Sequence, residues 1–101
     1  MINVEQAKKI AEEYVNKDYY VEGDRLIVVD EETIEKEYGW VFFFDSLKHL
    51  ETGDDSYLLA GNAPVIVEKD DGGIHVLATA PPLERWIDQY EAQRSRDTGG
   101  N

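Results

Sequence analysis

The chain has 101 residues without a cysteine and carries 22 Asp and Glu against 10 Lys and Arg, which gives a net charge of -12. This length accommodates one hydrophobic core and therefore one domain. The missing cysteines exclude disulfides and thiolate chemistry, and the negative charge disfavours nucleic acids and anionic membranes as partners. If the chain has a macromolecular partner, its charge predicts a basic one, although acidity also serves simply to keep a small protein soluble.

The first residues predict a cytoplasmic protein. Met1 to Gln6 contain neither the basic nor the apolar segment of a signal peptide. The longest apolar run is far shorter than a membrane span, so we expect no membrane association.

An amphipathic helix is predicted from residue 4 to about residue 17. Asn3 and Gln6 have the spacing of a capping box, in which each side chain accepts from the backbone N–H of the other residue. Apolar residues then recur at helical spacing, namely Val4, Ala7, Ile10, Ala11, Tyr14 and Val15. The small Ala7 and Ala11 favour a close approach of this helix to a sheet.

Two β segments follow the helix. Leu26 to Val29 is rich in β-branched residues and predicts the first strand, but Asp30 to Glu32 interrupts the pattern before it resumes. We expect either a bulge or a bend at this interruption. Thr33 to Lys36 should then pair with Trp40 to Phe44 in a hairpin closed by Glu37 to Gly39.

The most apolar stretch of the chain, Tyr38 to Ser46, predicts the central strand. Alternate side chains of a strand point to opposite faces of its sheet. One face would carry Trp40, Phe42 and Phe44, and the other would carry Val41 and Phe43. Because both faces are apolar, both should be covered.

The second half of the chain predicts two further strands and a helix. Residues 47–63 are interpreted as a long ordered loop pinned by Tyr57 to Ala60, with a short extra strand as the alternative. Val65 to Glu68 and Ile74 to Thr79 predict strands joined by a turn at Asp70 to Gly73. A helix should begin near Pro82 and end near Arg94.

These elements predict an α+β domain over residues 1–94, with an N-terminal helix, a four-stranded antiparallel sheet and a C-terminal helix. The tail, residues 95–101, has no apolar side chain and is expected to be flexible.

No residue pattern predicts catalysis, a metal site or a cofactor. His49 and His75 have no metal-ligand spacing, and Asp54 and Asp55 do not fit a calcium-binding loop. The serines lie in no nucleophile motif, and no glycine-rich loop has the form of a phosphate-binding loop.

Acidic residues are dense from Glu22 to Glu37, where seven acids face only Arg25 and Lys36. One interpretation is the solvated face of an outer strand, on which charge prevents aggregation. The other is a docking surface for a basic protein.

The sequence resembles the YrhB family, also called the immunity protein 35 family. The resemblance lies in Tyr38 to Phe43, in Leu59 to Val67 with its Gly-Asn-x-Pro motif, and in His75 to Thr79 followed by Pro82 to Glu84. It extends from the N-terminal helix to about Tyr90. The shared glycines have structural interpretations, among them a tight turn at Gly39 before Trp40.

The resemblance implies a small bacterial cytoplasmic protein that binds and blocks a cognate toxin and is not an enzyme. We expect the contacts on acidic and loop positions, with Glu31, Glu32, Glu35, Glu37, Asp54 and Asp55 steering a basic toxin. One alternative is a heat-stable, chaperone-like or housekeeping protein, and another is a small-ligand module with a pocket between helix and sheet. The sequence leaves a homodimer open.

Overall fold

The computed structural model describes residues 1–17, 19, 21–54, 63–77 and 82–99, and only the backbone of residues 95–99. Its helices are α1 (Val4–Asn16), α2 (Leu47–Thr52) and α3 (Leu83–Gly99). Its strands are β1 (Leu26–Val28), β2 (Ile34–Lys36), β3 (Gly39–Phe42), β4 (Phe44–Ser46), β5 (Val65–Glu68) and β6 (Ile74–Val76). The predicted α+β class, with a helix near each end, is confirmed.

The strands form two antiparallel sheets, so the prediction of a single four-stranded sheet is wrong. One sheet has the order β2-β3-β5-β6, and the other pairs β1 with β4. The chain changes sheets at Asp30–Glu32, which form a single 3₁₀ turn rather than the expected bulge or bend. It changes sheets again at Phe43, so the predicted central strand divides into β3 and β4. The predicted hairpin is confirmed, but its turn consists of Glu37 and Tyr38 alone, because Gly39 belongs to β3 and pairs with Lys36.

The two apolar faces of this stretch lie in separate parts of the core, as predicted. Trp40, Phe42 and Phe44 pack with Ala7 and Ala11 of α1. Val41 is fully buried on the opposite face with Ile66, Leu77 and Ile87, and Phe43 packs against this second cluster. The four-stranded sheet therefore lies between α1 and α3. Each large side chain buried in this way contributes roughly 1.5 to 3 kcal/mol.

The helices differ from the prediction in their extent. The capping box of α1 is confirmed, since Gln6 N donates to Asn3 Oδ1 at 2.8 Å and Asn3 N donates to Gln6 Oε1 at 2.9 Å. The predicted loop after Leu47 begins with α2, while Tyr57 to Ala60 lie outside the described residues. The backbone of α3 continues beyond Arg94 to Gly99. The flexibility expected for residues 95–101 stays a prediction.

Gly39 is required for a different reason from the predicted turn. Its φ is not positive, but a Cβ atom at this position would lie 2.1 Å from the backbone oxygen of Val67 on β5. The missing side chain therefore permits β3 and β5 to pair closely. The left-handed conformation is instead found at Gly72, with a φ of 73°, in the turn predicted between β5 and β6.

Candidate functional site

Four of the six predicted contact residues follow one another along the outer side of β2. Glu31 and Glu32 belong to the 3₁₀ turn, Glu35 lies on β2, and Glu37 lies in the turn between β2 and β3. All four are exposed, as is Asp30 at the start of the 3₁₀ turn. We call these five residues, Asp30, Glu31, Glu32, Glu35 and Glu37, the acidic edge.

The other two predicted contact residues lie elsewhere. Asp54 is exposed and follows Gly53, which ends α2 in the left-handed conformation. This helix packs against β4, in the two-stranded sheet. Asp55 lies outside the described residues. A role for Asp54 and Asp55 in binding stays a prediction.

The local sequence explains why the acidic edge reaches solvent. The 3₁₀ turn is closed by Glu32 N donating to Val29 O at 3.0 Å and by Thr33 N donating to Asp30 O at 3.1 Å. Three consecutive carboxylates are too costly to bury without partners, so the chain turns outward between its two sheets. Glu35 then alternates with Ile34 and Lys36 on β2, and its side chain is 70% exposed.

Two lysines neutralise part of the acidic edge. Lys8 Nζ on α1 lies 2.8 Å from Asp30 Oδ1, and the hydrogen bond between them raises the pKa of Lys8. Lys69 Nζ lies 3.3 Å from Glu35 Oε2. Within the described part of the chain, the remaining three carboxylates of the edge have no ion-pair partner. These are Glu31, Glu32 and Glu37.

A groove of about 610 Å³ lies between the start of α1 and the acidic edge. Ile2 and Trp40 supply apolar surface, and the Nζ atom of Lys69 lies 5.2 Å from the centre of the Trp40 ring system. Thr33 also lines the groove, and among the described residues its Oγ1 is buried without a hydrogen-bond partner. The groove therefore offers carboxylates to solvent, whereas the Trp40 ring and the Thr33 hydroxyl lie buried in its wall.

A second polar cluster attaches α3 to the four-stranded sheet. The guanidinium of Arg94 donates to both carboxylate oxygens of Glu68, with both bonds 2.7 Å long, and Tyr90 Oη also donates to Glu68. The hydrogen bonds from Arg94 lower the pKa of Glu68 despite its burial. Tyr38 Oη donates to Glu91 Oε2 at 2.9 Å, and burial together with this bond raises the pKa of Tyr38. These contacts satisfy one another and serve to hold α3.

Asp24 links the N-terminal region to α2. Its carboxylate accepts from Ser46 Oγ at 2.5 Å, from Tyr19 Oη at 2.7 Å and from Lys48 N at 2.9 Å. Burial opposes the ionisation of Asp24, but these hydrogen bonds outweigh it and lower its pKa from 3.8 to about 2. We interpret Asp24 as a structural residue.

The histidines have protein partners. His49 Nδ1 lies 2.8 Å from Asp45 Oδ2, and the ring of His75 packs at 4.7 Å against that of Tyr90. No group of three His, Cys, Asp or Glu suited to a metal ion is found among the described residues. Within the same residues, no helix has the length and apolar character needed to cross a membrane.

Two helices, the sheet between them and the acidic edge along its outer strand β2 define a small acidic α+β protein. Residues 5–89 match the immunity protein 35 family, and the chain belongs to this family. Over 57 residues it is 51% identical to the uncharacterized protein YrhB of Escherichia coli (strain K12). That alignment covers 56% of this chain and 61% of YrhB, so the chain spans less than two thirds of this relative. No solved structure matches it.

The sequence offered a pocket between helix and sheet only as an alternative, and it did not place Lys8 and Lys69 beside the acidic edge. The strand register contains a signal for Lys69, because Glu35 lies opposite Trp40 and Trp40 lies opposite Val67. A residue two positions after Val67 shares their face. No comparable local signal predicts the pair between Lys8 and Asp30, since it depends on how α1 lies across the chain.

Proposed function

We propose that the protein is an immunity protein that neutralises one cognate bacterial toxin by stoichiometric binding in the cytoplasm. Membership of the immunity protein 35 family supports the class of function. The acidic edge is the observation that supports the mode of action, because it places exposed carboxylates along β2, the outer strand of the sheet among the described residues. On this proposal the protein acts by occupying the toxin and not by catalysis.

The charge of the chain supports a basic toxin. The net charge of -12 is large for 101 residues, and the acidic edge concentrates part of it on one side of the four-stranded sheet. Opposite charges raise the rate of association by bringing partners together before they dock, and salt screens this attraction. Glu31, Glu32 and Glu37 are suited to this role because, among the described residues, no lysine or arginine neutralises them.

The experiment that tests this proposal uses the toxin encoded beside the gene. Co-expression of the protein should restore growth of cells that produce this toxin, and the purified pair should form a complex of fixed stoichiometry by size-exclusion chromatography with light scattering. Toxicity that persists although both proteins are made, together with separate elution of the pair, would show that the proposed function is wrong.

A further inference from the structure

The outer backbone groups of β1 have hydrogen-bond partners, and those described for β2 differ in this respect. Asn16 on α1 exchanges two hydrogen bonds with the backbone of Leu26, and Val28 N donates to Glu12 Oε2 at 2.9 Å. Side chains of α1 therefore satisfy the outer backbone groups of β1. Among the described residues, β2 has no such partner beyond β3.

The strand register shows which backbone groups of β2 face outward. Lys69 N donates to Tyr38 O at 2.7 Å, so the backbone groups of Tyr38 point toward β5. Because this direction alternates along a strand, the backbone groups of Trp40 also point toward β5. Gly39 and Val41 must then bond to β2. Because Glu35 lies opposite Trp40, the N–H and C=O of Glu35 point away from the sheet.

We propose that β2 is a strand-addition edge, at which an extended basic segment of the toxin pairs with the backbone of Glu35. This inference rests on the proposed function and specifies how the toxin docks. Strand addition derives affinity from backbone hydrogen bonds and specificity from alternate side chains. Basic side chains of the added segment meet Glu31, Glu32 and Glu37, which flank the outward-facing groups of Glu35.

The groove beside β2 receives one side chain of this segment. Lys69 already shows the chemistry that the groove accepts, since its ammonium group lies near both the carboxylate of Glu35 and the ring of Trp40. Trp40 is only 5% exposed and the Thr33 hydroxyl is buried, so a lysine or arginine of the toxin at this place contacts the carboxylate of Glu35, which is 70% exposed.

Charge selects this occupant over the alternatives. A second copy of the chain paired edge to edge at β2 would place the acidic edge against itself, and like charges across a strand pair are unfavourable. The opposite edge of the sheet, β6, consists of Ile74, His75 and Val76 and carries no carboxylate. A basic segment therefore favours β2.

Hydrogen exchange of the wild-type protein tests the inference without a mutation. In the free protein the amide of Glu35 should exchange faster than those of Ile34 and Lys36. Binding of a catalytically inactive form of the toxin should slow exchange at Glu35 at least about tenfold, and leave Val76 on β6 unchanged. Unchanged exchange at Glu35 in a formed complex overturns strand addition while leaving the proposed function intact. Slowed exchange that depends only on the protein's own concentration identifies a second copy as the occupant and also overturns it.

Substitutions separate the backbone of Glu35 from its charge. Glu35→Pro removes the outward N–H and should weaken binding about tenfold or more, whereas Glu35→Gln keeps it and should weaken binding only about threefold. Val76→Pro is the matched control at the other edge and should bind as the wild type does. Matching unfolding midpoints of the Glu35 variants and Val76→Pro show that all of them are folded. If Glu35→Pro and Glu35→Gln then bind the toxin with equal affinity, strand addition is overturned. A wild-type protein that does not bind the toxin overturns the proposed function and this inference together.

Discussion

The side-chain amide of Asn16 pairs with the backbone of Leu26 as a neighbouring strand would. Asn16 Nδ2 donates to Leu26 O and Leu26 N donates to Asn16 Oδ1, with both bonds 2.8 Å long. Leu26 is buried, so its backbone groups depend on these bonds. The helix thereby closes one sheet edge, whereas the acidic edge lies along β2, which has no strand partner beyond β3 in the part of the chain that the structure describes.

Asn16→Ala should destabilise the fold by about 2 kcal/mol, because it leaves the part-buried N–H and C=O of Leu26 without partners. Asn16→Asp keeps the acceptor but loses the donor, so its free energy of unfolding should lie between those of the wild type and Asn16→Ala. Glu13→Ala, on the exposed face of the same helix, serves as the control and should change stability little. Urea unfolding followed by circular dichroism measures these differences. Equal stability of Asn16→Ala and Glu13→Ala would contradict this account of β1.

Arg94→Ala should cost about 2 to 3 kcal/mol, because it leaves the carboxylate of Glu68 largely buried without its bidentate partner. Glu68→Gln introduced into the Arg94→Ala protein should restore part of this loss, since a neutral amide is less costly to bury. Gln89→Ala on the exposed face of α3 is the control. Chemical unfolding of the single and double variants gives the coupling energy. Purely additive effects would show that the pair does not hold α3.

The stability of the fold should depend on pH through Asp24. Its pKa lies at about 2 in the folded protein against an ordinary 3.8, so its ionised form stabilises the fold above about pH 4. This contribution is lost as the pH falls from about 4 toward about 2. Asp24→Asn should lower the melting temperature by several degrees at neutral pH, and its difference from the wild type should shrink over that acidic range. A difference that stays constant with pH would contradict the assignment.

Gly39→Ala should destabilise the protein by about 3 kcal/mol, because the new methyl group would overlap the backbone of β5 at Val67. Gly53→Ala is a suitable comparison. Gly53 has a φ of 72° but open space around it, so only the backbone strain of about 1 kcal/mol is expected there. Thermal unfolding of both variants shows which of the two is less stable. A smaller loss of stability in Gly39→Ala than in Gly53→Ala would show that β3 and β5 can move apart at little cost.

Sequence patterns predicted the elements whose signals are local. The capping box of α1, the hairpin of β2 and β3, and the division of the aromatic residues between two faces depend on residues close in the chain. The charge of the acidic edge was also visible, because Glu31, Glu32, Glu35 and Glu37 follow one another within seven positions.

The features that were missed depend on contacts between distant segments. Tyr38 to Ser46 reads as one strand, yet it divides at Phe43 because Val29 N donates to Phe43 O at 2.8 Å and β1 pairs with β4. The short helix α2 was hidden in a polar stretch, although Ser46 accepts from His49 N and Gly53 provides its end. The closure of β1 by Asn16 depends on the position of α1 and has no local signal.

On the proposed function, the acidic edge attracts and holds a basic toxin. This claim is tested by the association rate of the inactive toxin with a variant in which Glu31, Glu32, Glu35 and Glu37 are replaced by Gln. The matched control removes the same number of charges from other exposed positions, namely Glu13, Glu22, Glu51 and Asp88.

Stopped-flow kinetics at increasing salt provides the decisive comparison. We expect the edge variant to associate about tenfold more slowly than the control variant at low salt, and its rate to depend less on salt. Equal rates and equal salt dependence for the two variants would contradict the claim that the toxin docks at the acidic edge.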